Sequence, residues 1–149
     1  MEELFGVEAV TTDYRSKGKM SIKWKYISKL TDEKVFENIE EKYNLQIPEE
    51  IIKLIKTANG GSPDKERILS GKTERVFGGL LSFNEGDPDN VYTALDLIEY
   101  KNFLPFAIDP FGNYFCYHVK KREVYFWDHE ENRMESSGYN LKEFLENLY

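Results

Sequence analysis

One cysteine, two histidines and five prolines in 149 residues remove several options at once. A lone thiol, Cys116, cannot form an internal disulfide, so packing and hydrogen bonding must hold the fold. No window reaches the roughly 18 apolar residues of a membrane helix. The start, MEELFGVEAV, has neither a basic leader nor a continuous apolar stretch. These absences predict a soluble protein of the reducing cytoplasm. A net charge of -7 disfavours direct nucleic-acid binding, because phosphates are repelled. GxxxxGK[ST], GxGxxG, CxxC and HExxH are all missing, so nucleotide and zinc chemistry have no motif to rest on and no cofactor is expected.

What the chain does have is aromatic bulk, 15% of its residues, enough to offset the ordering entropy that keeps polar chains unfolded. Its length fits one domain, residues 1–149. Residues 1–23 are the least readable, an N-terminal arm or edge strand. Ile22, Trp24 and Tyr26 alternate with lysines along one side of an extended segment. Thr31 is placed to cap a helix carrying Val35, Phe36, Ile39 and Tyr43 on one stripe, with Asn44 as its stop. Pro48 suits a first helical position, and Ile51, Leu54, Ile55 and Ala58 recur at helical spacing until Asn59-Gly60-Gly61.

Residues 62–72 have the composition of a loop. Glu74 to Phe83 reads as a strand interrupted at Gly78-Gly79, and Asp87-Pro88 as the start of a third helix running to about Tyr100. Phe103 to Ile108 is a short apolar strand. Asp109-Pro110-Phe111-Gly112-Asn113 is turn chemistry, and Tyr114 to Val119 with Glu123 to Asp128 makes an aromatic hairpin, apolar on both faces and hence central. Asn140 and Glu143 form a capping box for a last helix, stapled by Tyr139 on Phe144. The irregular order of elements predicts an α+β domain with a mainly antiparallel central sheet and helices packed around it.

The residues able to do chemistry gather in one stretch. Cys116 and His118 share a strand face, and Asp128 or His129 from the paired strand would join them in a metal site, whereas a Cys/His nucleophilic pair has no orienting third group. Three or four ligands are needed and no further motif supplies them, so a buried thiol and a sheet-packed histidine are the expected roles. Asp128-His129-Glu130-Glu131 reads as the solvated turn that ends a strand. The charge is uneven: residues 31–50 carry seven acids against two bases, and 128–149 six against two. Acidity held in two segments suits a basic partner or, more simply, solvated faces.

Two stretches carry a resemblance. EEKYNLQIPEEIIKLIKTANGG, from Glu40 to Gly61, and LPFAIDPFGNYFCYH followed by VYFWDHE resemble the SUKH superfamily, which includes the yeast Smi/Knr-type cell-wall assembly regulators and many bacterial immunity proteins. The likeness runs from about Trp24 to Tyr149, and its matching positions are Pro48, Asn59, Gly60, Gly61, Pro105, Asp109, Gly112, Asn113 and Trp127. It implies an α+β domain without enzymatic activity that binds another protein, in bacteria a cognate toxin domain, often a nuclease. The acids Glu37, Glu40, Glu41, Glu49, Asp128, Glu130 and Glu131 are then the expected contacts with a basic toxin. A regulatory module with an endogenous partner is the alternative, and a metal-dependent enzyme a distant third.

Overall fold

The computed structural model describes residues 10–13 and 21–149. The rest of the arm or edge strand expected over 1–23 lies outside the described residues. Strand β1 (Val10–Asp13) pairs antiparallel with β2 (Ser21–Lys25), and β2 pairs on its other side with β3 (Ser62–Pro63). The segment β2 is thus the middle strand of a small sheet. Pairing on both sides, not burial, makes it central, and its Ile22 and Trp24 are both buried. Tyr26 departs from the alternation: its left-handed backbone (φ 61) turns it outwards, 62% exposed.

Helix α1 (Val35–Tyr43) starts later than Thr31 would have it. The Thr31 backbone N–H and hydroxyl are drawn instead to the Asn84 side chain, at 2.9 and 3.2 Å. Asp32 builds the entry turn, accepting from Lys34 N–H at 2.9 Å. Asn44 ends the helix in the left-handed region, as its tolerance of that conformation predicts. Helix α2 (Glu49–Ala58) follows Pro48, which sits just outside it in an extended conformation.

The stretch expected to be a loop contains β3 and, after it, β4 (Arg67–Ser70), which pairs with β5 (Thr73–Val76) in a hairpin. Two residues, Gly71 (φ 63) and Lys72, suffice for the turn, so polar composition concealed a strand whose alternate residues, Ile68 and Ser70, are buried. The interruption at Gly78-Gly79 separates β5 from β6 (Gly79–Leu80). Helix α3 (Val91–Leu97) is shorter than Asp87-Pro88 implied, because Asn90 is its cap and accepts from Thr93 N–H at 3.0 Å.

The central sheet is an antiparallel meander in the order β10-β9-β8-β7-β6. It comprises β6, β7 (Phe103–Ile108), β8 (Tyr114–His118), β9 (Glu123–Asp128) and β10 (Arg133–Ser136). Sequence periodicity missed β10, whose residues are half-buried or exposed and carry no alternation. Alternation places Leu104, Phe115, Tyr117, Val124 and Phe126 on one face, all fully buried. Helix α4 (Leu141–Glu146) packs there through Phe144, 5.3 Å from the Phe115 ring, and its capping box forms as expected. One hydrophobic cluster runs through all four helices, which makes the architecture α+β.

Candidate functional site

Each signature motif of the sequence is committed to a backbone task. Asp109 is buried, and its Oδ1 accepts from Phe111 N–H and Asn113 N–H, both at 2.8 Å, while its Oδ2 accepts from the Asn113 amide at 2.9 Å. These bonds fold residues 109–113 back on themselves, a job a short carboxylate performs well. Gly112 lies at φ +90, and the His129 ring stands 3.5 Å from where its Cβ would be. His129 itself is tied to Asn113, its N–H donating to Asn113 Oδ1 at 3.0 Å. Pro105 is buried at the bulge that shifts the β7 and β8 register. Trp127 stacks on Tyr114 with centroids 5.9 Å apart and donates its indole N–H to Asn132.

The Asn59-Gly60-Gly61 ending of α2 feeds a polar knot that sequence reasoning missed. Asn59, fully enclosed, donates to the Ser28 carbonyl at 2.7 Å and to Ser82 Oγ at 3.1 Å, and accepts from Phe83 N–H at 2.7 Å. Asp87 Oδ2 receives the hydroxyls of Ser28 and Ser82 at 2.6 and 2.7 Å and the Asn84 amide at 3.2 Å. Those bonds, Ser28's foremost, hold the Asp87 carboxyl below its ordinary range. A cleft of about 300 Å³ lies beside the knot. The visible signal was a run of small polar residues, Ser82, Asn84 and Asp87, directly behind apolar Leu80-Leu81. The sequence places Ser82 in an expected strand and Asp87 at an expected helix start, which splits the run between two elements.

The chain's potential ligands and nucleophile are not brought together. Cys116 is completely enclosed, which pushes its thiol well up and leaves no thiolate to act. His118 faces Glu123 across the β8–β9 pair, whereas His129 is bound to the turn beyond the opposite end of β8. The His118 ring packs edge-on against Phe103 at 4.7 Å. Burial, with Lys121 next in weight, lowers its basicity. Among the described residues no group of three or more His, Cys, Asp or Glu side chains is placed to hold a metal ion.

The seven acids divide by occupation. Glu40 accepts from Ile47 N–H at 2.9 Å and so ties α1 to the linker before α2. Asp128 caps its own turn by accepting from Glu130 and Glu131 N–H, and Glu131 pairs with Arg133 at 2.7 Å. Glu37, Glu41, Glu49 and Glu130 are exposed.

The fold is thus an α+β domain whose motif residues Asn59 and Asp109 bond to its own backbone. The chain belongs to the SMI1 / KNR4 family (SUKH-1), whose model matches residues 30–147. This family is generally non-enzymatic, and membership is consistent with an immunity or regulatory role. No curated protein and no solved structure matches the chain. No helix among the described residues is long and apolar enough to cross a membrane.

Proposed function

We propose that this protein is an intracellular immunity protein that binds a basic toxin domain, a nuclease by preference, and covers its active site. The observation that carries the reading is the set of exposed carboxylates Glu37, Glu41 and Glu49 on α1 and at the start of α2. An acidic surface competes for the cationic groove with which a nuclease holds phosphate, and it accelerates encounter. Glu130, on the β9–β10 turn, adds to the candidate contacts. Glu40, Asp128 and Glu131 contribute charge while serving the fold.

The test begins with affinity purification from the native host and identification of the partner by mass spectrometry. Titration of that partner against Glu37→Lys with Glu41→Lys then reads the contact. Both positions are on the solvent side of α1, so the fold is expected to stay intact. The expected result is an association rate about tenfold slower at low ionic strength, the difference shrinking as salt is added. An unchanged rate and salt dependence would remove α1 from the interface. A captured partner without toxic activity would move the protein to the regulatory reading.

A further inference from the structure

A concavity of about 1160 Å³ runs between the α1–α2 linker, the end of α3 and the β8–β9 turn. Its walls include Tyr43, Ile98, Tyr100, Phe103 and Val119, and its lip holds Lys101, Lys120 and Arg122. Lys121 stands on the same turn. These four cations are exposed and make no ion pair within the described residues, where the bridges formed are those of Lys65, Arg75 and Arg133. In a chain of net charge -7, a lip of four cations engaged in no ion pair is the reverse of the overall balance. Of the two lining carboxylates, Glu40 already accepts from Ile47 N–H and Glu99 lies on the α3 side.

We infer that this groove docks an extended acidic peptide segment of a protein partner, its carboxylates over Lys101 and the Lys120–Arg122 turn and an apolar side chain against the aromatic wall. Charge complementarity selects the sign of the occupant, and the aromatic wall selects apolar matter beside it. A nucleic acid fits less well. Its charge is uniform along its length, and the far end of the groove, at Glu40 beside acidic α1, would repel it. A peptide can confine its charge to one end. The groove borders the acidic segment at Glu40 but includes none of Glu37, Glu41 and Glu49, so reversals at Lys101 and Lys120 test it separately from the proposed toxin contact.

Three labelled probes test it by fluorescence anisotropy at low ionic strength. They are a peptide with a block of glutamates followed by Leu and Trp, the same peptide with lysines in place of the glutamates, and an oligothymidylate of equal length. The glutamate peptide is expected to bind saturably and to shift the Ile98 and Val119 methyl resonances. Lys101→Glu and Lys120→Glu, both exposed substitutions, should each weaken it about fivefold, with unchanged urea unfolding as the check on folding. Equal binding of the lysine peptide, absence of saturable binding, or indifference to both reversals would overturn the inference. Tighter binding of the oligothymidylate would overturn it in favour of a nucleic-acid groove.

Discussion

Replacing Asn59 by alanine tests whether the polar knot holds the fold, and the size of the effect can be worked from its bonds. The side chain is 1% exposed and makes three hydrogen bonds, of 2.7, 3.1 and 2.7 Å, joining Ser28, Ser82 and Phe83. Each such bond contributes about 1 kcal/mol net, and a buried group left without a partner costs about 1–3 kcal/mol. Asn59→Ala leaves the buried Phe83 N–H without its partner, so a loss of about 3 kcal/mol is expected. With a urea m-value of about 2 kcal/mol/M for a domain of this size, the midpoint should fall by about 1.5 M. Trp24 and Trp127 are both buried, so intrinsic fluorescence follows the transition. Ser82→Ala, alone and combined with Asn59→Ala, completes a double-mutant cycle whose coupling should be about 1 kcal/mol. A midpoint within about 0.3 M of the parent would refute the reasoning, because it would mean that the knot closes around the gap without loss.

Three further outcomes follow from the same region. Gly61→Ala should cost about 1–3 kcal/mol, since its new Cβ would lie 2.9 Å from the Ala58 carbonyl oxygen, a backbone atom unable to swing away. Gly86→Ala, with nothing within 4 Å, should stay within about 0.5 kcal/mol of the parent in the same urea assay. The Asp87 carboxyl is held low by the Ser28 and Ser82 hydroxyls, so its contribution is complete above the unfolded aspartate value near 4 and is lost as pH falls through the lower folded value. The stability gap between the parent and Asp87→Asn should therefore be widest near neutral pH and close in acid. Unfolding midpoints measured from pH 7 to pH 3 check the sign, and a gap that widens in acid would contradict it.

Legibility in the sequence followed the strength of each local cause. Strands β7 and β9 and the α4 capping box could be read because short apolar or aromatic runs bounded by turn residues, and Asn140-to-Glu143 spacing, are signals completed within a few residues. The start of α1 was misplaced because Thr31 is captured by Asn84, a partner 53 positions away. Such competition leaves no trace in a local pattern. Strand β4 was hidden by its exposed alternate residues, Arg67 and Leu69, and by a turn short enough to look like loop. The polar knot was illegible for the same reason as Thr31. Ser28, Asn59 and Ser82 are unremarkable singly, and only tertiary closure makes them one unit. The turn at Asp109, by contrast, announces itself, because donors and acceptor lie within five residues.

The inward commitment of Asn59, Asp87 and Asp109 also bears on how such a chain can change over generations. Asn59 and Asp109 are enclosed and Asp87 is half-buried, while the outer side of α1 carries Glu37 and Glu41 with no structural bond to defend. Substitution there costs little stability, so a lineage can redraw its outer charge one residue at a time while the fold stays above its threshold. A scaffold of this kind can follow a drifting partner without passing through an unfolded ancestor.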